Sequence, residues 1–411
     1  MVYKTETCCR ACGSSNLTEL IAFGDTPLAD RLLTEEELVQ EEHLVPLTLA
    51  ICGDCSLVQI LETVDPKVLF YSEYPYFSSI SPSLQEHFRL SAEHLMQTRA
   101  LGSDSLVVEA ASNDGYLLRH FHQRGIPVLG IDPAEGPVKK ALEIGVRTVN
   151  TFFTEDYAKE LVESGKRADV FLANNVLAHV PGLNGFVKGI SVLLKEDGVA
   201  VIEMPYVVDL IDHCEFDTIY HQHLCYFSVT ALRSLFQSHG LHLNRIKRTS
   251  IHGGSLRIFV EKEDELDDSV LDLLQMEKER LVDRPDYFLK FADRVSQLKE
   301  ELRKILSGLK AEGKTIAGYG AAAKACTLMA YCEIDKDDLD FVSDLNPYKH
   351  NKYMGGNRLP ICPAEAVLEK QPDYLLILAW NFAEEIIKQM APFAKQGGKF
   401  IVPVPFPRIR S

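Results

Sequence analysis

The chain has 411 residues, 46% of them hydrophobic and 25% charged, with a formal net charge of −16. This length exceeds the roughly 100–200 residues of one domain, so two or three globular domains are expected. The acidic balance argues against nucleic acid as a partner, no apolar run approaches the roughly 18 residues of a membrane span, and the N-terminal MVYKTETCC lacks the apolar core of a signal peptide, so the cytoplasm is the expected location.

The first predicted unit spans 1–72. It holds two C-x-x-C pairs, Cys9 and Cys12 in CRAC and Cys52 and Cys55 in CGDC. Each pair sits beside a glycine, Gly13 or Gly53, in the manner of a knuckle that aims thiolates at a tetrahedral Zn²⁺. Four thiolates leave no open position, so the zinc is structural, folding a small domain with little core of its own. Cys8 adjoins a ligand, but aligning CRAC with CGDC selects Cys9. The long separation of the pairs implies an inserted loop, including FGDTPLADRLL, that faces another domain. A nucleic-acid finger is disfavoured because the intervening segment has few basic residues and many Glu.

A second unit is predicted over 73–262. It opens with an aromatic, hydroxyl-rich stretch in which Tyr74, Tyr76, Ser78 and Ser79 offer stacking faces and hydrogen bonds; Ser81 or Ser83 caps the amphipathic helix that follows. VVEAASNDGYLL, residues 107–118, then reads as a strand, an acidic turn and a helix. Only Gly115 is present where a dinucleotide turn requires three glycines, so a nucleoside cofactor without a pyrophosphate, S-adenosylmethionine, fits better, with Glu109 at the strand end and Asp132 placed for the ribose hydroxyls. Strands LVVEAA, VLGID, VRTVN, DVFLANNV, VAVIEMP, HLNRIKRT and SLRIFVE alternate with helices, the last two forming an antiparallel hairpin about IHGG. That pattern is a doubly wound α/β sheet of seven strands, the class I methyltransferase arrangement, whose ligands lie beyond the carboxyl ends of the strands. Candidate cofactor residues there are Glu109, Asn113, Gly115, Asp132, Pro133, Phe152, Phe153, Asn174 and Asn175.

The third unit, 263–411, begins with two amphipathic helices joined by VDRPDY and continues as a Rossmann-like α/β domain from KTIAGYGAAAKACTLMAYC. The GYGAAAK turn invites a dinucleotide reading, and an NAD(P) oxidoreductase is one rival. Its fixed cation, Lys324, suits instead a sugar diphosphate held by backbone amides and an ammonium group. Asp344 ends the next strand, where a ribose or base is met. Candidate substrate contacts are Tyr76, Ser78, Ser79, His252, Arg257, Lys324 and Asn381, with Lys349 as a further phosphate candidate. A non-enzymatic zinc adaptor is the other rival.

NDGYLL, ANNVLAHVP, FDTIYHQHLCYFS, IHGGSLR, GYGAAAKA and WNFAEEI occur in that order, and in them the chain resembles the three-domain sugar C-methyltransferases that build branched deoxysugars. The resemblance covers nearly the whole chain. It implies S-adenosylmethionine as donor and a nucleotide-linked, dTDP-type 4-keto deoxyhexose as acceptor, methylated at C3; a monomer or weak oligomer without nucleic-acid or membrane partners is expected. It also implies that Tyr220 and His223 lie against the sugar, with His179 on the opposing loop. Carbon becomes nucleophilic beside a ketone only as an enolate, so the site needs a base and an enolate stabiliser. Tyr220 or His223, acting as a pair, is read as the base; His179 polarises or protonates the enolate oxygen; Gln222 and Tyr76 complete the catalytic candidates. The family usually carries Glu where this chain has Gln222, and an amide only hydrogen-bonds where a carboxylate orients an imidazole and raises its pKa. His221 is a candidate to supply the missing function, and methylation at oxygen is the alternative reaction.

Overall fold

The computed structural model describes residues 2–69 and 82–411, so the expectations placed on Tyr74, Tyr76, Ser78, Ser79 and Ser81 lie outside the described residues, as do the side chains of Ser83 and His252. The N-terminal strands are β1 (Tyr3–Thr5), β2 (Leu17–Pro27), β3 (Leu44–Cys52), β4 (Val58–Ile60) and β5 (Glu62–Val64). β1 pairs with β5, and β2, β3 and β4 form an antiparallel meander. Along β3, Val45, Leu47 and Leu49 are buried and alternate with less buried neighbours, the period-two pattern of a strand with one face on a core, while from Leu49 to Cys52 every residue is buried. The expected inserted loop is therefore largely a hairpin: FGDTP belongs to β2, and only the stretch from Leu28 onward is a loop.

The central sheet contains β6 (Val107–Ala110), β7 (Val128–Asp132), β8 (Thr148–Asn150), β9 (Ala168–Asn174), β10 (Leu194–Pro205), β12 (His242–Thr249) and β13 (Ser255–Glu261) in the order β12-β13-β10-β9-β6-β7-β8. β13 is antiparallel to both neighbours, and β6 to β10 run parallel. The expected class I methyltransferase sheet is thus present, with IHGG at the turn of its edge hairpin. β6 and β7 are buried at every position, as strands covered by helices on both faces must be. Strand order reverses between β6 and β9, which opens the ligand crevice at the carboxyl ends of those strands.

One strand departs from the chain order. β11 (Cys225–Tyr226), immediately after the Tyr220–His223 loop, leaves the central sheet and pairs antiparallel with β4, giving an N-terminal sheet of order β11-β4-β3-β2. The N-terminal module thereby holds the loop that carries the catalytic candidates.

The predicted connector helices are Asp268–Glu279 and Pro285–Ala311. The first is docked by buried Glu277, which accepts from Tyr206 Oη (2.7 Å) and from the amides of Val229 (2.7 Å) and Thr230 (2.8 Å). The C-terminal sheet comprises β14 (Ile316–Tyr319), β15 (Val342–Asp344), β16 (Ile361–Pro363), β17 (Tyr374–Ile377), β18 (Lys399–Val402) and β19 (Arg408–Arg410), ordered β16-β15-β14-β17-β18-β19 with only β19 antiparallel. That 3-2-1-4-5-6 order is the Rossmann arrangement. Among the described residues no helix is long and apolar enough to cross a membrane.

Candidate active site

The four cysteines expected to bind metal converge. Cys9 Sγ lies 3.5 Å from Cys55 Sγ and Cys12 Sγ 3.5 Å from Cys52 Sγ, and all four sulfurs fall within 4.8 Å of one another. A tetrahedral Zn²⁺ with bonds of about 2.3 Å spaces its sulfurs by roughly 3.8 Å, so the set fits. The Asp54 amide points at Cys52 Sγ (3.4 Å), the charge-stabilising contact of a knuckle. Cys8 is exposed and outside the cluster, in agreement with the choice of Cys9. These residues would hold a zinc ion that ties the ends of β2 and β3 together next to β4.

On the crevice side, the turn after β6 is bent by unusual backbone: Ala111 (φ 52°), Asn113 (φ 49°) and Gly115 (φ 77°) are left-handed. Two of these are not glycine, and strain of this kind collects at ligand sites, where close backbone approach is required. Gly130 in β7 is equally constrained, since a Cβ there would come within 2.5 Å of Ser112 Oγ. Asp132 accepts from the amides of Asn113 (2.9 Å) and Ala134 (2.8 Å), so it braces the turn while each oxygen keeps a lone pair for a ribose hydroxyl. Burial pushes its carboxyl up. Glu109 is fully buried, and desolvation raises its carboxyl well above the usual range despite hydrogen bonds from Tyr116 and Asn174. Asn175 is left-handed (φ 54°), and its Oδ1 is buried without a hydrogen-bond partner among the described residues. A buried acceptor left open in a crevice fits a nucleoside-type ligand. Pro133 and Phe152 (57% exposed) sit at the crevice rim. Phe153 does not: its ring is buried against Phe171 (4.8 Å) and Phe186 (5.2 Å), so the cofactor contact expected of it is corrected to core packing.

The loop 216–223 carries the proton-transfer candidates. His223 Nδ1 lies 2.8 Å from the Thr218 carbonyl, which can only accept, so the proton resides on Nδ1. Nε2 therefore presents its lone pair, and Tyr220 Oη, 3.0 Å away, donates to it. The two rings lie 4.1 Å apart and tilted by 30°. His179 meets His223 edge-on at 4.7 Å. Desolvation lowers its imidazole to about 4, only partly offset by a hydrogen bond to the Gln222 main chain, so it is neutral at physiological pH. Gln222 is buried and its amide Nε2 donates to the Ala29 carbonyl (3.2 Å), in the loop that follows β2. That loop thus faces another domain, as expected. His221 is corrected from a candidate to a structural residue: fully buried, it bonds through Nε2 to the Pro46 carbonyl of β3 (2.9 Å), and burial depresses its pKa.

The substrate candidates separate. Arg257, expected at a phosphate, is 5% exposed and engages Glu203 (2.8 Å) and His87 (2.7 Å). Burial pushes the Glu203 carboxyl up, but the His87 hydrogen bond and the Arg257 charge outweigh it and hold it low. A guanidinium so engaged is a structural ion pair, and this expectation is corrected. Lys349 donates to the Ala321 carbonyl (2.7 Å) and faces Asp30 (3.6 Å), joining the Gly turn to the N-terminal loop. Asp344 accepts from the Ala321 (2.7 Å) and Asn346 (2.7 Å) amides, bracing the same turn. Lys324 stands over the Trp380 ring, 4.1 Å from its centroid, and Asn381 is exposed beside it at the carboxyl end of β17. Sequence reasoning missed Asp217, Thr327 and Trp380. Only the position of Asp217 and Trp380 inside the FDTIYHQH and WNFAEEI motifs marked them; nothing marked His87.

Comparison with known proteins agrees with this architecture. Family models match in three consecutive stretches: a zinc binding domain over residues 9–70, a methyltransferase domain over 84–245 and a C-methyltransferase C-terminal domain over 250–405. The chain is 36% identical over 406 residues to C-methyltransferase NovU of Streptomyces niveus, covering 98% of this chain and 96% of that protein. It is 27% identical over 123 residues to a ubiquinone biosynthesis O-methyltransferase of Azorhizobium caulinodans, covering 29% of this chain and 46% of that one. Among solved structures, magnesium protoporphyrin IX methyltransferase of Synechocystis PCC 6803 with bound SAM matches with 16% identity and a TM-score of 0.33, over 43% of this chain and 79% of that one. The chain belongs to the C-methyltransferase family and is an S-adenosylmethionine-dependent methyltransferase with a zinc-binding N-terminal domain.

Proposed function

We propose that the enzyme methylates carbon C3 of a nucleotide-linked 4-keto deoxyhexose, of the dTDP type, through an enolate. The observation that carries this reading is the Tyr220–His223 pair: Thr218 holds Nδ1 protonated, so Nε2 is the accepting nitrogen, and Tyr220 Oη donates to its lone pair. When the bound sugar displaces the Tyr220 hydroxyl from Nε2, His223 Nε2 takes the proton from the carbon next to the ketone, leaving the electron pair on the enolate and an imidazolium beside the developing negative charge. Tyr220 keeps the ring in register. His179, a neutral ring, hydrogen-bonds the sugar but brings no positive charge. S-adenosylmethionine, when bound, supplies the electrophilic methyl group. Asp132, with Asn113, Gly115 and Asn175 in the neighbouring turns, orients its nucleoside against the carboxyl ends of β6 and β7. In the C-terminal domain the GYGAAAK turn, Lys324 and Asn381 take the nucleotide diphosphate.

The test is mass spectrometry of products formed from a panel of 4-keto nucleotide sugars with a labelled methyl donor. One added labelled methyl on the sugar of a 4-keto substrate, and none on its 4-hydroxy counterpart, is the expected result. Transfer that ignores the ketone, or no transfer to any member of the panel while other small molecules are methylated, would overturn the reading.

A further inference from the structure

The segment that orients His223 is gripped from the C-terminal domain. Trp380 Nε1 donates to Asp217 Oδ2 at 2.6 Å, and Thr327 Oγ1, on the helix Ala323–Tyr331, donates to the Ile219 carbonyl at 2.7 Å. Thr218, whose carbonyl holds the proton on His223 Nδ1, lies between these two anchored residues. Asp217 and Thr327 are both fully buried. Phe216, also fully buried, stacks 6.2 Å from Phe23 of β2 and packs at 5.7 Å against Tyr331 of the same C-terminal helix. Lys324 stands over the Trp380 ring and acts electrostatically on Asp217 and Glu215. A buried carboxylate needs such partners, and here both come from the Gly-turn region of the other α/β domain. All seven strands of the central sheet lie at or before residue 261, whereas both grips come from beyond it.

We propose that Asp217, Trp380 and Thr327 are positioning residues for proton abstraction: the C-terminal domain clamps the 217–219 backbone and so sets the direction of His223 Nε2 toward the sugar carbon. Substrate-binding elements and the base are thereby coupled, because Lys324 belongs both to the Gly turn and to this charge cluster. The inference rests on His223 being the base.

The test is deuterium wash-in at the carbon beside the ketone of a dTDP-linked 4-keto-6-deoxyhexose, followed by NMR without methyl donor, in the full-length enzyme. Thr327→Val removes one donor while keeping the side-chain shape, and Trp380→Phe removes the indole donor while leaving a smaller aromatic ring beneath Lys324. Each is expected to lower the maximal exchange rate by about 10-fold or more, since misplacement by an ångström costs up to about 100-fold, with KM for the sugar nucleotide, zinc content and donor binding unchanged. Asp217→Asn, whose amide oxygen still accepts from the indole, is expected to retain most of the rate, and Asp217→Ala to lose it. Exchange within twofold of wild type in both Thr327→Val and Trp380→Phe, or an effect confined to KM, would overturn the clamp. His223→Gln separates the two levels: if it exchanges like wild type the base assignment fails, whereas if it is inactive and the clamp variants are not, only the clamp fails.

Discussion

Gln222→Glu is the most informative single change, because the resemblance to sugar C-methyltransferases implies a Glu at that position. The amide is 3% exposed and donates to the Ala29 carbonyl at 3.2 Å. A carboxylate cannot donate, so the ionised variant sets two acceptors against each other in a dry site, at a cost of about 1–3 kcal/mol. A protonated carboxyl can donate and restores the bond. One pKa unit corresponds to about 1.4 kcal/mol, so the introduced carboxyl should titrate roughly 1–2 units above the ordinary value of about 4.3 in the folded variant. The sign follows from linkage: a carboxyl raised in the folded state contributes fully below the unfolded pKa and loses that contribution as pH rises through the folded one. Thermal melts of variant and wild type at pH 5 and pH 8 should therefore show a shortfall that grows with pH, reaching roughly 2–12 °C at pH 8 given about 2–4 °C per kcal/mol. A shortfall equal at both pH values, or a variant as stable as wild type at pH 8, would refute the reasoning. The latter result would mean that an imidazolium takes up the new carboxylate.

Three further outcomes are expected. His223→Gln should reduce methyl transfer by about 10²–10⁴-fold, the range for loss of a general base; Tyr220→Phe should reduce it less, read in initial rates with donor binding checked by calorimetry. Cys52→Ser should lower zinc content and raise amide hydrogen exchange in two places, around the cysteine knuckles and across the Cys225–Tyr226 strand, because that strand pairs with Val58 and Gln59 just past the cluster; exchange confined to the knuckles would contradict the coupling. Glu109→Gln should stabilise the fold at neutral pH, because burial raises the native carboxyl and its stability is lost as pH rises above the unfolded value near 4.3. The gain should vanish below about pH 4, and urea unfolding at the two pH values measures it.

Periodicity and turn chemistry made the two α/β sheets legible, since strands buried on both faces read as apolar runs and the hairpin is marked by IHGG. The zinc knuckles were legible from spacing alone. The destination of polar side chains was not. Arg257 and Phe153 stand beside ligand-bearing strand ends in sequence, but the Arg257 side chain, on a strand with two faces, turns to Glu203, and Phe153, in the loop after β8, turns its ring to the aromatic core. His221 and Gln222 look like parts of one catalytic cluster, yet each is taken by a carbonyl of the N-terminal module, Pro46 and Ala29. Contacts of that kind join residues more than a hundred positions apart, and no local pattern encodes them. The pairing of Cys225–Tyr226 with the zinc-binding sheet was hidden for the same reason, although it gives that module its bearing on the chemistry.

The central claim is transfer to carbon through a base that first removes a proton. It is tested most directly by NMR of the product formed from a ¹³C-methyl-labelled donor and a dTDP-linked 4-keto-6-deoxyhexose. The label on a carbon-bound methyl at C3, with the C3 proton lost, is the predicted result; the label as a methoxy group, with that proton retained, would contradict it.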